Sequence, residues 1–539
     1  MSAWLFFGLS NENDRGAPRS RRLLLFRETI SNKVRMMQLS GQPLSLSEIA
    51  AVALGDIRVE VAPSAHARIQ DSRKVVEEIV ARDGVVYGVS TGFGKLADVQ
   101  IPAGELRQLQ LNLVRSHACG VGRPLSIPEV RAMILLRANV LTLGLSGIRL
   151  EVIELLCELL NRGVHPFIPE KGSVGASGDL APLAHLALTL IGEGEAFYQG
   201  ARVPSLTALS QARLRSVVLE AKEGLALLNG TQAMHAVGGL ALLRGKRLSR
   251  VADVAGAMSL EALKGTPTAF DPRIHNARPH PGQQAVAEHL CYLLRDSEIR
   301  QSHLADDPRV QDAYSLRCMP QVHGAIRGAL AHCESVFEIE SRSATDNPLV
   351  FTETGDVLSG GNFHGAPLAL ALDYAAIALT DLMSISERRT DRLVNPDLSE
   401  GLPPFLAPHA GTHSGFMILH VASVALLNEA KVLAHPASVD NLPTSGGKED
   451  HVSMGMTGAL KLRTIVENAE HLIAIELLSG AEGLEFRRPL RAGAGVEKAY
   501  ERVRSLSPAV NEDRSLSGDI ERVAAAIRDG KFDSETEKI

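Results

Sequence analysis

Residues 172–187 read GSVGASGDLAPLAHLA, and the reading of this stretch decides the fold. Its centre, Gly175-Ala176-Ser177-Gly178-Asp179, puts the smallest side chains between two glycines and an acid, just before an apolar run. Read alone, it is a turn and a helix start. Gly175 and Gly178 permit unusual backbone angles, and Ser177 or Asp179 is a candidate cap for the helix that follows. The rest of the chain adds a chemical reading to this local one.

The chain has 539 residues, enough for one large or two to three ordinary domains. Hydrophobic residues make up 45% and aromatics only 4%, a balance that favours helices over sheets. With 56 basic and 62 acidic residues the formal net charge is -6, so nothing invokes a nucleic-acid partner. Cys119, Cys157, Cys291, Cys318 and Cys333 are odd in number and form no CxxC pair, which fits a reducing, cytoplasmic compartment. No apolar run reaches the ~18 residues of a membrane span. The longest candidate, Ala366 to Met383, carries Asp373 and Asp381 and reads as a buried helix. The first residues differ from the rest. Trp4-Leu5-Phe6-Phe7 has no basic segment before it, against a signal peptide, and Glu12 and Asp14 count against a mitochondrial presequence.

Short β-type runs lie near Ile57 to Val61 and Gly84 to Val89. Beyond them helical periodicity dominates. Leu150, Ile153, Leu156, Leu159 and Leu160 share one side of a predicted helix that Gly163 can end. Longer helices are predicted over 234–263, 367–394, 414–433 and 456–478, several apolar around most of their circumference. That suits the centre of a bundle or an oligomer interface. Gly/Pro-rich stretches at 265–283, 355–367 and 401–415 read as loops.

Two familiar patterns are set aside. Gly88-Val89-Ser90-Thr91-Gly92 fits G-x-S-x-G, but a nucleophile elbow needs an α/β sheet that this helical chain does not offer. Gly92 to Ala97 fits a loose dinucleotide fingerprint without a βαβ unit around it. His409 and His413 are four apart, but Pro408 and Gly411 spoil a helical face, so no metal site is expected. What remains is a scattered set of polar residues in glycine-rich or proline-flanked settings: Tyr87, His117, Asn229, Tyr314, Arg317, Asn362, His364 and Glu449. Each alone has an ordinary structural explanation, such as a core tyrosine or a surface charge.

Together with 172–187 they form a pattern. YGVSTGFG, NLVRSHACGVG, EKGSVGASGDLAPLAHLAL, EGLALLNGTQ, RPHPGQ, VQDAYSLRC, GGNFH, LPPFL and KEDHVSMG run in order from about Met37 to about Val510. In these motifs the chain resembles the aromatic amino acid ammonia-lyase and aminomutase family. The resemblance implies a mainly α fold with a long central helical bundle, fumarase/aspartase-like in architecture. By composition residues 1–36 read as a disordered extension, and the resemblance divides the rest into an N-terminal domain with the Ala-Ser-Gly loop (37–230), a central bundle (231–480) and a C-terminal helical region (481–539).

The resemblance also implies a chemistry. Ala176, Ser177 and Gly178 would cyclise to 4-methylidene-imidazol-5-one. The Gly178 nitrogen attacks the Ala176 carbonyl carbon and two waters leave, one with the Ser177 hydroxyl. Glycine supplies an unhindered nitrogen and a tight bend. No external cofactor is implied. Eliminating ammonia means removing a weakly acidic β-proton and expelling a poor leaving group, so an electron sink and a positioned base are both needed. By the same resemblance Tyr87 is the base, Arg317 pairs with the substrate carboxylate, Asn229, Gln311 and Tyr314 order that carboxylate and the prosthetic group, and Phe363 shapes the pocket.

Ser116-His117 and Glu449 point, by resemblance, to L-histidine as substrate and trans-urocanate as product. A carboxylate can accept an imidazole N–H, and facing a bare phenyl ring it would be buried unpaired. Alternatives are a tyrosine or phenylalanine lyase or 2,3-aminomutase on the same scaffold, and a non-catalytic helical scaffold protein. Relatives of this kind are homotetramers. Lys448 in place of a common Gln, Ser90 in place of a frequent Asn, and Gly365-Ala366 in place of Ala-Glu are departures.

Overall fold

The computed structural model describes residues 36–536 apart from 56, 306 and 308. The extension expected over 1–36 lies, save for Met36, outside the described residues. The fold is mainly α. Its long elements are α1 (Ile127–Leu141), α2 (Gln232–Ala262), α3 (Met319–Glu340), α4 (Ala366–Val394), α5 (Met417–Leu433) and α6 (Gly455–Glu485).

Local sequence explains their starts and their packing. α1 opens on a capping box, with Ser126 and Glu129 each bonding the other's backbone N–H, and it is buried almost all round. α2, at 31 residues, is about 46 Å long. It packs along α4 and α6, and α3 and α5 flank them. Gly238 and Gly245 in α2 are seven apart and meet Leu372 and Leu379 of α4, also seven apart. A Cβ at either glycine would overlap those leucines, so the two glycines set how closely the axes approach. The predicted helix after Leu150 runs to Arg162, and Gly163 ends it in the left-handed conformation (φ 70°).

Strands are short and peripheral. Met36–Leu39 pairs in parallel with Arg58–Val61, from Met36↔Arg58 to Leu39↔Val61. Glu195–Tyr198 lies between His165–Pro166 and Ala201–Pro204, antiparallel to both. The strand expected over Gly84 to Val89 does not form. Ser90 closes that segment into a turn, its hydroxyl donating to the Gly84 carbonyl (2.6 Å) and accepting the Val86 N–H (3.0 Å). The helix expected to be buried is so, although it is more apolar than the sequence reading allowed. α4 is long and apolar enough, by length and composition, to cross a bilayer, yet 67% of its apolar window is buried inside the chain's own fold.

The bundle centre is not purely apolar. Arg389 of α4 pairs with Glu476 of α6 (2.5 Å), both fully buried, and Glu476 also accepts the Ser259 and Ser386 hydroxyls. His323 of α3 donates from Nδ1 to Asp253 of α2 (2.7 Å) and accepts from Arg389 at Nε2 (3.3 Å), which fixes its neutral tautomer. Burial alone would raise the Asp253 pKa. Arg327 and the bonds from His289 and His323 outweigh it and hold the carboxyl far below its ordinary range. Removing one partner of such a pair leaves an uncompensated buried charge. Arg389→Met is therefore expected to cost about 3–5 kcal/mol in urea unfolding, with part of the loss recovered by adding Glu476→Gln.

Candidate active site

The Ala176-Ser177-Gly178 loop sits at the N-terminal end of α2. Asp179 holds the N-cap position of its own helix, Leu180–Leu190, but its side chain makes no capping bond there. Its carboxylate instead accepts the Met234 N–H (2.8 Å) in the first turn of α2 and the Ser173 hydroxyl (2.8 Å). It is fully buried, and burial raises its pKa to about 6 against the pull of those donors. Its backbone N–H donates to the Gly230 carbonyl (2.6 Å). Gly178 has φ +76°, and a Cβ there would overlap the Gly230 backbone, so only glycine fits. Arg137, fully buried on α1, holds the opposite side. It donates to the carbonyls of Ala226 and Asn229 and to the Gln232 side chain.

Four further side chains meet this loop or one another. Asn229 Nδ2 donates to the Ser177 carbonyl (3.0 Å). Ser177 Oγ donates to Glu449 Oε1 (2.5 Å), joining residues 272 apart in the chain. His117 and Tyr87 both lie within electrostatic reach of Glu449. His117 Nδ1 donates to the Leu113 carbonyl (2.8 Å), which leaves Nε2 as the acceptor in the neutral ring. Burial lowers the His117 pKa, offset in part by the Leu113 bond and the Glu449 charge. Burial raises the Tyr87 pKa. The Gly94 backbone bond lowers it and the Glu449 charge raises it further. Burial pushes Glu449 up, but hydroxyl donors from Ser177, Thr444 and Ser445, and then His117, outweigh it, so its pKa is lowered.

The structure thus places Tyr87, His117, Ser177, Asn229 and Glu449 together. Phe363 is half-buried in a segment docked on the loop, where the Gly365 N–H donates to the Gly175 carbonyl (3.2 Å). Gln311, Tyr314 and Arg317 lie elsewhere. Asp312 accepts the Thr266 N–H (2.7 Å) just past the C-terminal end of α2, whereas Ser177 stands at its N-terminal end, about 46 Å away along a helix of 31 residues. The Ser315 carbonyl accepts from Arg389, near the C-terminal end of α4. Arg317 stacks on Tyr314 (4.4 Å to the ring centroid), and Tyr314 is 71% exposed. Among the described residues, nothing hydrogen-bonds the buried Arg317 Nε.

Sequence reading did not single out Arg137, Ser453, Thr444 or Ser445. Ser453 Oγ donates to the Gly175 carbonyl (3.0 Å), and the Met454 N–H to the Val174 carbonyl (2.8 Å). Only the adjacency of 444, 445 and 453 to Glu449 could have pointed to them.

Comparison with known proteins fits this geometry. A family model described as aromatic amino acid lyase matches residues 44–505. Histidine ammonia-lyase of Myxococcus xanthus is 56% identical over 494 residues, 92% of this chain and 97% of that protein. Histidine ammonia-lyase of Koribacter versatilis is 56% identical over 511 residues, 93% of this chain and 99% of that protein. The crystal structure of histidine ammonia-lyase from Trypanosoma cruzi superposes with a TM-score of 0.86 at 43% identity, over 93% of this chain and 95% of that one. Tyrosine aminomutase from Streptomyces globisporus superposes with a TM-score of 0.88 at 37% identity, over 93% and 98%.

The His117 environment is directly measurable. Its imidazole is expected to titrate below the ordinary histidine range in a proton NMR pH series. Glu449→Gln should lower it further, because the lost carboxylate charge favoured the imidazolium.

Proposed function

The chain belongs to the aromatic amino acid lyase family, and we propose that it is a histidine ammonia-lyase, converting L-histidine to trans-urocanate and ammonia in histidine breakdown. The observation that carries the substrate is Glu449. A half-buried carboxylate, held below its ordinary pKa and aimed at Ser177, suits an imidazole N–H and is costly against a phenyl ring. Relatives named histidine ammonia-lyase at 55–56% identity support the same choice.

Ala176, Ser177 and Gly178 are the residues that would form the methylidene-imidazolone. They fit it. Gly178 is held where only glycine fits, Ser177 presents its hydroxyl to a carboxylate, and Asn229 bonds the Ser177 carbonyl. Once formed, the group supplies the electron sink that an elimination from an unactivated amino acid needs. The remaining work falls to side chains. Tyr87 takes the β-proton, and an ordinary phenol (pKa ~10) is a weak base near neutrality, so substrate binding must offset the burial that raises it further. His117 offers a neutral Nε2 acceptor. Arg317 presents a guanidinium fork to the substrate carboxylate, ordered by Tyr314 and Gln311, and Phe363 bounds the pocket.

Arg317 and Ser177 of one chain cannot serve one substrate molecule, since they stand at opposite ends of α2. Self-association as a homotetramer, with copies antiparallel, would bring the Arg317 end of one copy to the Ser177 end of another. Exposed apolar faces support it: Leu370, Tyr374 and Ile377 on α4, and Ile418, Val421 and Val424 on α5. The five cysteines are free, in keeping with a cytoplasmic location.

Two experiments test this reading. Purified protein given L-histidine should produce the near-ultraviolet absorbance of urocanate, and its intact mass should be short by two waters. Ser177→Ala, which has no hydroxyl to lose, should show the full mass of its unmodified chain and fall to near background. Cinnamate or coumarate from phenylalanine or tyrosine, without urocanate, would keep the chemistry and reject histidine. In the second, Ser177→Ala and Arg317→Ala chains, each nearly inactive alone, should regain activity when assembled into mixed oligomers. No recovery in verified mixed oligomers would reject the shared site.

A further inference from the structure

Glu449 has two oxygens with different surroundings. Oε2 accepts two hydroxyl donors, Thr444 Oγ1 (2.6 Å) and Ser445 Oγ (2.7 Å). Oε1 accepts only the Ser177 hydroxyl among the bonds seen (2.5 Å). The loop that brings the donors in is tightly wound. The Thr444 N–H donates to the Glu449 carbonyl (2.9 Å) and the Gly447 N–H to the Thr444 carbonyl (3.0 Å). Ser445, Gly446 and Gly447 all lie in the left-handed region, with φ of 52°, 64° and 81°. Glycine enters that region freely and serine does not, so Ser445 is a strained residue beside two unstrained ones. Strain of this kind persists where the side chain has a use.

We propose that Thr444 and Ser445 are positioning residues that clamp Oε2 of Glu449, so that Oε1 is presented as an acceptor for the imidazole N–H of the substrate. The proposal rests on the histidine reading above. Two donors on one oxygen occupy its lone pairs and fix the rotation of the carboxylate about its last bond. Both bonds favour the ionised form, which alone accepts from a ring N–H at either oxygen. The Ser177 hydroxyl now on Oε1 is the group expected to leave as water on cyclisation, which would free that oxygen while the clamp on Oε2 stays. The other titratable groups acting on Glu449 are His117, which stabilises the carboxylate when protonated, and Tyr87, whose phenolate would oppose it. Lys448 and Asp450 flank Glu449 in the chain and are exposed.

The test compares Thr444→Val, Thr444→Ser and Ser445→Gly with the parent. Ser445→Gly removes a hydroxyl while relieving the backbone, so lost stability cannot account for its effect. Intact mass first establishes that each variant has lost two waters. The pH profile of kcat/KM for L-histidine is then measured beside the melting temperature. Thr444→Val and Ser445→Gly should each move upward the part of the acid limb that Glu449 ionisation sets, because a lost donor raises the Glu449 pKa. At neutral pH, where Glu449 is ionised throughout, each should lower kcat/KM about tenfold through the lost aim of Oε1. Thr444→Ser should restore the parent profile. An unmoved acid limb in both variants, with only the melting temperature changed, would reduce the loop to a structural turn and overturn the clamp. A parent protein that yields no urocanate at all would overturn the histidine reading, and the clamp with it.

Discussion

The site depends on the tie between Asp179 and the first turn of α2. One buried carboxylate takes the Met234 N–H and the Ser173 hydroxyl, while its own backbone N–H reaches the Gly230 carbonyl. A helix N-terminus needs acceptors for its free N–H groups and favours a nearby negative charge. α2 therefore draws the loop onto its end, and the loop stays there because Gly178 has no side chain to hold it off. Ser177 is then delivered to Glu449 and its carbonyl to Asn229. Remove the tie, and the chemistry-bearing residues lose their common reference point.

A second constraint is the rigidity of the bundle core. Arg389, Glu476, His323 and Asp253 lock α2, α3, α4 and α6 to each other with directional bonds, where leucines alone would permit sliding. The same Arg389 bonds the Ser315 carbonyl, between Tyr314 and Arg317. The long helices thus hold two sets of polar groups at opposite ends of a stiff rod. A single chain carries both sets without joining them.

Sequence periodicity located the long helices well where apolar residues and glycine or proline stops agreed. Leu150–Arg162 with Gly163 is one case, and α4 is another. It misread Gly84 to Val89, where a short run rich in valine suggested a strand. Ser90 competes for the backbone there and folds a turn that carries Tyr87. It also offered Ser177 or Asp179 as the cap of the following helix; Asp179 does stand at that position, but its carboxylate bonds Met234, 55 residues on, because capping rules see only local partners. For the same reason Arg137 was not legible, and Thr444 and Ser445 had only their nearness to Glu449 in the chain to mark them until folding turned their hydroxyls onto its carboxylate.

By itself the sequence determined the helical class, the small-residue loop flanked by Gly175 and Gly178, and an ordered set of motifs that marks the family. These are local or linear properties, written in residue size, periodicity and order. The tertiary structure decided which residues meet. It joined Ser177 to Glu449 across 272 positions, turned Asp179 toward another helix, and set Arg317 a helix length away from Ser177. The physical reason is that a hydrogen bond or a charge acts over a few ångströms of space, whatever the separation along the chain, and only the packed helices convert one into the other.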